Sequence, residues 1–205
     1  MVVSMYKIFK RFIDFTIALI LTIICSPVML IVAIAIRLES KGSPLFKQLR
    51  TGRKGKDFYC YKFRSMTADN DVHDFSKKDK VTKVGKFIRK TSLDELPQLF
   101  NILKGEMSFI GPRPWITDYA ELYNKRQKRR LNVRPGMTGL AQCSGRNNLG
   151  IKEKINLDIE YVDNLSLMMD VKIIFKTIVC ILKKDGYSSD KNTIQEELEE
   201  LRNQA

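Results

Sequence analysis

The sequence predicts an α+β fold that is predominantly helical and that begins with a membrane helix. Three observations support this prediction. The chain of 205 residues carries no charged side chain from Phe15 to Ile36, a run of 22 residues that is long enough, at about 1.5 Å per residue, to cross a hydrocarbon core. Several later segments repeat apolar residues at helical spacing. The stretch Asp57–Met66, which is rich in aromatic residues, predicts a small strand component.

The N-terminal segment, residues 1–40, has two features that bear on how it meets a membrane. Ser26 and Pro27 lie at the middle of the apolar run, where proline removes a backbone donor and clashes with the carbonyl of Ile23. Each half would then reach about 15 Å, half of a bilayer. Basic residues flank both ends of the run, which favours keeping both ends in the cytoplasm. A re-entrant hairpin and a kinked spanning helix both fit these features, whereas a signal peptide has a shorter apolar core and a cleavage site.

The composition restricts the class of partner and of metal site. The formal charge of +13 predicts an anionic partner: nucleic acid, anionic lipid or a phosphorylated small molecule. The four cysteines are widely spaced and the single histidine, His73, lies in an acidic loop, so we expect no zinc site and assign His73 no role. Reduced cysteines suit a cytosol-facing protein. The P-loop, Rossmann, GxSxG and HExxH patterns do not occur in the sequence.

Beyond the membrane segment we predict one domain over residues 41–186 and a polar tail over residues 187–205. Ser92, with Glu95 three positions later, is typical of a capping box that starts a helix, and Lys104-Gly105 is typical of a helix end. Residues Thr67–Lys80 are predicted to form a loop. Further helices are predicted over Trp115–Leu131, Lys152–Asn164 and Met168–Lys184.

Asp94 and Glu95, at the predicted helix start, allow two interpretations. In the first, both carboxylates only cap the helix and interact favourably with its dipole. In the second, the helix N-terminus keeps Asp94 ionised as a nucleophile for phosphorus and also receives a phosphate on its free amides. Arg89, about one turn upstream, would clamp that phosphate. Glu95 would hold Mg²⁺, which prefers one or two carboxylates together with phosphate oxygens.

Other basic residues in extended or loop stretches suit contacts with phosphate, although a solvated surface charge is the better interpretation of each of them alone. These residues are Lys62, Arg64, Arg113 and Arg146. The basic cluster Lys125–Arg130 is predicted to form a surface that faces anionic lipid.

Five long motifs follow one another along the chain: KRFIDFTIALILTIICSPVMLI, KFRSM, RKTSLDELPQLFNILKGEMSFIGPRP, RPGMTGLAQCSGRN and LDIEYVDNLSLMMDVKII. In this order they resemble the bacterial sugar transferase family, the monotopic phosphoglycosyl transferases that start the assembly of surface polysaccharides and glycoproteins. The resemblance runs from about Tyr6 to Lys184 and is to the minimal, single-domain members. Cys143 stands where an aliphatic residue is expected, in a loop that bears on which sugar fits.

The resemblance implies a re-entrant membrane helix broken at Ser26-Pro27. It also implies a small catalytic domain on the cytoplasmic face of the bacterial inner membrane, with amphipathic helices along the membrane plane. Asp94 would attack the sugar-bearing phosphate of a UDP-sugar and release UMP. Polyprenyl (undecaprenyl) phosphate would then take the phosphosugar from the covalent intermediate, and Glu95 would associate with Mg²⁺.

The resemblance also assigns substrate roles by motif position. Phosphate- or nucleotide-binding roles fall to Lys62, Arg89, Arg113 and Arg146. A C-terminal motif of the same site contains Asp158, Tyr161 and Asp170. The implied partners are a UDP-sugar, polyprenyl phosphate and anionic membrane lipids, without nucleic acid; a homodimer is compatible with the sequence.

Three rival interpretations make different predictions. A non-enzymatic membrane adaptor would keep all function after Asp94→Asn, and it gives no reason for the clustered motifs. A nucleic-acid-binding protein is suggested by charge alone, because the sequence contains no recognisable reader module. A direct single displacement with Asp94 as a base is the nearest rival, and it differs from the covalent route in its kinetics.

Overall fold

The computed structural model describes residues 2–67, 81–145, 149–182 and 194–203. Nearly all of the predicted loop Thr67–Lys80 lies outside the described residues, as do His73 and Arg146. Within the described ranges, helices predominate over two small two-stranded sheets. The prediction of a predominantly helical α+β fold is therefore confirmed.

The chain begins with one long helix, α1 (Val2–Glu39), which passes through Ser26 and Pro27 without interruption. The hydroxyl of Ser26 donates to the carbonyl of Ile23 at 2.8 Å. This carbonyl is the acceptor that the nitrogen of Pro27 cannot serve, and the serine hydroxyl satisfies it. The two halves therefore form one helical run rather than two helices, and the re-entrant topology stays a prediction.

Most of the apolar surface of α1 is exposed. Met5–Glu39 is long and apolar enough to cross a membrane. In its most apolar stretch, 11% of the residues are buried against the rest of the protein. The residues of α1 that do pack against the rest of the chain include Ala18, Val32 and Ile36. An ordinary core helix would bury most of its apolar face, so α1 has the exposure expected of a helix that meets lipid.

An antiparallel hairpin of β1 (Leu45–Thr51) and β2 (Asp57–Phe63) follows α1. The strand predicted within Asp57–Met66 is thus present, and β1 is a partner that the sequence did not reveal. Asn101 ties this hairpin to the helix that follows it. Its fully buried side chain accepts from the nitrogen of Tyr61 at 3.0 Å and donates to the carbonyl of Tyr59 at 2.7 Å.

Two short helices, α2 (Lys83–Lys90) and α3 (Gln98–Lys104), are separated by a 3₁₀ turn over Leu93–Glu95. Gly105 ends α3 with a φ of 81°, a left-handed conformation that glycine adopts without strain. The predicted helix end at Lys104-Gly105 is confirmed.

A short parallel pair, β3 (Ser108–Ile110) and β4 (Gly136–Thr138), joins the middle of the chain to its later part. A Cβ atom on Gly136 would lie 2.1 Å from the nitrogen of Gly111. Only glycine permits this close approach of two backbones, which holds the segment after β3 against β4.

The single helix predicted over Trp115–Leu131 is wrong, because the chain forms α4 (Thr117–Glu121) and a separate 3₁₀ segment, Gln127–Asn132. Between them, the nitrogen of Gln127 donates to Oδ1 of Asn124 at 3.0 Å, and the nitrogen of Asn124 donates to Oε1 of Gln127 at 2.9 Å. These local side-chain bonds offer the backbone an alternative to the helix ladder.

Four further helices complete the described chain: α5 (Leu140–Ser144), α6 (Ile151–Asp163), α7 (Leu167–Leu182) and α8 (Ile194–Arg202). The starts of α6 and α7 lie one residue before the predicted ones, whereas Cys143, predicted in a loop, lies on α5. In the described part of the predicted tail, α8 packs on α4 and α6 through the fully buried Leu201. α7 exposes Met168, Phe175 and Leu182, so it offers a second apolar surface beside α1.

Candidate active site

The turn that carries Asp94 and Glu95 is held by apolar residues on both sides of the pair. Leu93 and Leu96 pack against the cluster formed by Val32 and Ile36 of α1 with residues of β2 and α2. The predicted capping box is wrong: Ser92 has a left-handed φ of 56°, and its side chain makes no capping hydrogen bond. The two carboxylates lie on a 3₁₀ turn before α3 begins, so helix capping does not account for them.

Two basic side chains from other elements converge on Glu95. Nζ of Lys62, on β2, lies 2.6 Å from Oε1 of Glu95, and a guanidinium nitrogen of Arg113 lies 3.9 Å from the same oxygen. These side chains are partly exposed, from 23% for Glu95 to 47% for Arg113. The sequence reasoning placed Lys62, Glu95 and Arg113 in one site, and the structure brings them together.

The two neighbouring carboxyl groups have opposite pKa shifts. Burial raises the pKa of Asp94; Lys62 and Arg89 oppose that rise, and the negative charge of Glu95 adds to it. Burial alone would also raise the pKa of Glu95, but Lys62 and Arg113 outweigh it and the pKa falls below its usual value. Glu95 is therefore firmly ionised at neutral pH, whereas Asp94 keeps a more basic, more nucleophilic carboxylate.

Arg89 lies at the end of α2, and its side chain is fixed by a residue that sequence reasoning missed. Nε of Arg89 donates to Oγ of Ser65 at 2.7 Å, and the carbonyl of Ser65 accepts from the nitrogen of Thr82 at 3.1 Å. The charge of Arg89 is close enough to Asp94 to oppose the rise of its pKa. Three cationic side chains, Lys62, Arg89 and Arg113, therefore surround the two carboxylates.

Arg130 holds the backbone of Arg113 through a hydrogen bond. Arg130 was not identified from the sequence as a residue that supports the site. Its guanidinium donates to the carbonyl of Arg113 at 2.8 Å and pairs with Asp158 at 2.6 Å. It also lies 4.0 Å above the ring of Trp115. Burial alone would lower the pKa of Arg130, but Tyr123 and Asp158 raise it, so the group stays charged.

Arg130 also corrects the prediction that Lys125–Arg130 is a lipid-facing surface. Its side chain is only 2% exposed, whereas Arg129 next to it is half-exposed. Because the partner Asp158 lies 28 residues later in the chain, no local pattern identifies which arginine of this cluster turns inward.

Four other predicted site residues occupy framework positions. The guanidinium of Arg64 donates to the carbonyls of Ser40 and Lys41 at the end of α1. Asp158 pairs with Arg130. The hydroxyl of Tyr161 donates to Asp170 at 2.8 Å, and all three of Asp158, Tyr161 and Asp170 are buried. The structure does not bring these side chains to the Asp94–Glu95 turn, so their substrate roles stay predictions.

The carboxylates near the turn bear on whether the site could hold Mg²⁺. Among the described residues, no group of three or more Asp, Glu, His or Cys side chains could hold a metal ion. The paired carboxylates Asp94 and Glu95 nevertheless suit Mg²⁺, because this ion takes one or two carboxylates and completes its shell with phosphate oxygens and water. The residues present therefore fit a magnesium ion that arrives with a phosphorylated substrate.

Comparison with known proteins identifies the family of this chain. The model of the bacterial sugar transferase family matches residues 5–184. The uncharacterized sugar transferase EpsL of Bacillus subtilis is 44% identical over 192 residues, which cover 92% of this chain and 95% of that protein. The UDP-glucose:undecaprenyl-phosphate glucose-1-phosphate transferase of Caulobacter vibrioides is 39% identical over 189 residues, covering 86% of this chain and 71% of that protein.

The undecaprenyl-phosphate galactose phosphotransferase of Salmonella typhimurium is 41% identical over 199 residues, which cover 88% of this chain but 42% of that protein. The chain thus spans nearly all of EpsL and less than half of the Salmonella protein. Because the family model matches most of its length and a relative of similar span is 44% identical, the chain belongs to the bacterial sugar transferase family and is a transferase enzyme.

Proposed function

We propose that the protein transfers a sugar-1-phosphate from a UDP-sugar to undecaprenyl phosphate, giving undecaprenyl diphosphosugar and UMP. The single observation that carries this proposal is the Asp94–Glu95 turn surrounded by Lys62, Arg89 and Arg113. A carboxylate with a raised pKa beside an excess of positive charge suits attack on a phosphorus atom that carries negative oxygens. The relatives named above as undecaprenyl-phosphate sugar phosphotransferases support the choice of substrates.

In the first step, an oxygen of Asp94 attacks the sugar-bearing phosphorus. The new bond joins this oxygen to phosphorus, and the bond from phosphorus to the bridging oxygen of the diphosphate breaks. UMP leaves with that electron pair, and the phosphosugar stays on Asp94. Lys62 and Arg113 offset the charge of Glu95 and of the incoming phosphates, which lowers the repulsion that Asp94 must overcome.

In the second step, a phosphate oxygen of undecaprenyl phosphate attacks the same phosphorus. The bond between phosphorus and Asp94 breaks, the carboxylate is restored, and the diphosphate of the lipid product is complete. No net proton is gained or lost. Because UMP leaves before the lipid phosphate enters, one small cationic site serves both substrates in turn.

Glu95 would hold Mg²⁺ together with phosphate oxygens of the substrate. When bound, the ion would neutralise charge on the diphosphate as UMP leaves. Glu95 suits this role because its lowered pKa keeps it ionised.

The contacts of α1 support a re-entrant placement. Arg11 donates to the carbonyls of Ile102 and Leu103, while Glu39 accepts from the nitrogens of Lys83 and Val84. These two positions on α1 are about 42 Å apart along a straight helix, more than the hydrocarbon core of about 30 Å. If α1 crossed the bilayer, the charged segment of residues 83–104 would have to cross beside it, which is costly.

A helix that bends at Ser26-Pro27 and keeps both ends on the cytoplasmic side would avoid this cost. Both ends of α1 then stay with the domain that contacts them. Leu93 and Leu96, on either side of Asp94-Glu95, pack on the second half of α1. The site would therefore lie at the depth where the phosphate of a lipid carrier meets the cytoplasm.

A protein with this activity would catalyse the first membrane step of surface glycan or glycoprotein assembly.

The test is UMP release from a panel of UDP-sugars by the purified protein with Mg²⁺ and undecaprenyl phosphate. We expect lipid-dependent release with one UDP-sugar, lost by at least about 10³-fold in Asp94→Asn and strongly reduced in Glu95→Gln. Asp94→Asn should unfold no earlier than wild type, because its raised pKa means that the ionised aspartate destabilises the fold at neutral pH. Unchanged turnover in this folded variant would overturn the proposal.

A further inference from the structure

A second basic site lies away from the Asp94–Glu95 turn, between the start of α1 and the β3–β4 pair. It is a shallow cavity of about 30 Å³ that opens to solvent. Its lining includes five cationic side chains and one carboxylate: Lys7, Lys10, Arg11, Arg53, Arg134 and Asp14. Its lining also includes Tyr161, which belongs to the C-terminal motif. It includes none of Lys62, Arg89, Asp94, Glu95 and Arg113, so the residues that carry the proposed reaction do not account for it.

The positive charges of this cavity are only partly compensated. Lys10 lies 2.7 Å from Asp170 and 4.0 Å from Asp14. In the described part of the chain, no ion pair joins a carboxylate to Arg11, Arg53 or Arg134. Arg11 donates to the carbonyls of Ile102 and Leu103, which carry a partial charge but not a full one.

Arg53 and Arg134 provide the clearest sign that an anion is expected. Nε of Arg53 is buried and has no hydrogen-bond partner, a costly state for a charged donor. Nε of Arg134 donates to the carbonyl of Gly105 at 2.8 Å. Burial, followed by the like charges of Arg11 and Arg53, lowers the pKa of Arg134. Because Arg11, Arg53 and Arg134 all line the cavity, an anion bound there would relieve their mutual repulsion.

The surroundings of the cavity indicate where that anion comes from. On α1, Ile8 and Phe12 are 72% and 69% exposed, within one or two turns of the lining residues Lys7 and Arg11. Just after the lining residue Leu165, Met168 on α7 is 77% exposed. Apolar surface on both sides of a cationic cavity suits a position at the headgroup level of a bilayer.

We propose that this cavity binds the phosphate of an anionic phospholipid headgroup. The acyl chains would lie against the exposed apolar residues of α1 and α7, while the phosphate would contact Lys7, Arg53 and Arg134. Binding there would fix the start of α1 at the membrane surface. The inference rests on the proposed membrane placement, but not on the proposed reaction.

The test uses the full-length protein in a neutral detergent, titrated with dihexanoyl-phosphatidylglycerol, dihexanoyl-phosphatidylcholine or inorganic phosphate. The readout is the unfolding temperature, which rises with a ligand that binds the folded state. We expect a rise with the phosphatidylglycerol and none with the phosphatidylcholine. In the double variant Lys7→Gln/Arg53→Gln, the affinity for the phosphatidylglycerol should fall at least about tenfold, since two charged contacts are lost.

The matched control is Lys152→Gln/Arg202→Gln, which removes the same two charge types from exposed positions on α6 and α8. Its affinity should stay within about twofold of wild type. Equal losses in both double variants would overturn the proposal in favour of diffuse attraction. Equal affinity for inorganic phosphate would overturn the lipid source, and a rise with phosphatidylcholine would overturn anion recognition.

A second measurement needs no variant. Wild type is irradiated with a phosphatidylglycerol analogue that carries a photoreactive headgroup, and the modified peptides are identified by mass spectrometry. Adducts on peptides with Lys7, Arg53 or Arg134 are expected, and adducts confined to other peptides would contradict the proposal. UMP release is measured in parallel. A protein that releases UMP but does not bind phosphatidylglycerol overturns this inference alone, and the reverse result overturns the proposed function alone.

Discussion

Two regions of the molecule are built from paired charges and differ in how those charges are balanced. Around the Asp94–Glu95 turn, cations are in excess and the side chains are partly exposed. Around Arg130, one guanidinium meets Asp158, the hydroxyl of Tyr123 and the ring of Trp115, and the pair is only 2% exposed.

This difference indicates that the Asp94–Glu95 turn is the functional site and that the network around Arg130 is the framework that supports it. The buried pair is closed to a ligand because both side chains are only 2% exposed, although Oδ1 of Asp158 has no hydrogen-bond partner. Breaking such a pair is costly to the fold. An exposed group with unbalanced charge contributes little to stability but can receive phosphates. The two regions meet at Arg113, whose backbone belongs to the buried network and whose side chain belongs to the site.

The largest effect is expected from Arg130→Met, which leaves Asp158 buried without its partner. The free energy of unfolding should fall by about 3–5 kcal/mol. Arg129→Met, which breaks the exposed pair with Asp163, is the matched control and should cost at most about 1 kcal/mol. Chemical denaturation of both variants measures the difference, and equal losses would show that burial does not distinguish the two pairs.

Lys62→Met is expected to lower activity strongly and stability only slightly, the opposite of Arg130→Met. Losing this cation from the site should lower kcat/KM for UMP release by about 100-fold, or about 2.7 kcal/mol in the barrier. Its unfolding should change little, because the pair with Glu95 is partly exposed. Lys47→Met, on the neighbouring strand and exposed, controls for loss of charge. A drop in stability with unchanged kcat/KM would place Lys62 in the framework instead.

A smaller effect on stability is expected from Glu197→Ala on α8. The carboxylate accepts from the hydroxyl of Tyr119 at 2.7 Å and from Nζ of Lys154 at 2.8 Å, so removal should cost about 1–3 kcal/mol. Glu199→Ala, at an exposed position of the same helix, should stay within about 0.5 kcal/mol. Thermal unfolding of the pair shows whether α8 is part of the buried framework; equal midpoints would contradict its docking.

The subtlest effect is on the pH dependence of kcat/KM. Asp94 acts as a nucleophile only when ionised, and burial raises its pKa, so activity should fall on acidification at a higher pH than an ordinary aspartate would give. Lys62→Met removes a charge that opposes this rise and should move the acidic limb further upward. A limb that stays in place, or moves down, would contradict the assigned electrostatics.

The sequence predicted the elements that depend on local pattern and missed those that depend on distant partners. The start of α6, the start of α7 and the end of α3 at Gly105 follow from apolar spacing and from glycine's freedom at positive φ. The capping box at Ser92 failed because packing of Leu93 and Leu96 on α1 accompanies a 3₁₀ turn there instead. Tertiary contacts of this kind are not visible in a short sequence window.

The residues of the candidate site likewise depend on tertiary contacts that the sequence alone does not show. Asp94, Glu95, Lys62 and Arg113 were grouped through the family resemblance, and the structure places both Lys62 and Arg113 within 4 Å of Glu95. Arg130 could not be distinguished from its basic neighbours, since its burial depends on Asp158 in α6. Ser65 and Asn101 orient elements of the site through hydrogen bonds to residues distant in the sequence, and no local sequence pattern identifies them.

The most direct test of the central claim is isotope exchange of labelled UMP into the UDP-sugar substrate, measured without undecaprenyl phosphate. Attack by Asp94 predicts exchange, because UMP can return to the phosphosugar that the aspartate carries. Asp94→Asn should abolish the exchange, while Lys47→Met should leave it unchanged. Absence of exchange in wild type that releases UMP when lipid is added would contradict the covalent route and favour a single displacement with Asp94 as a base.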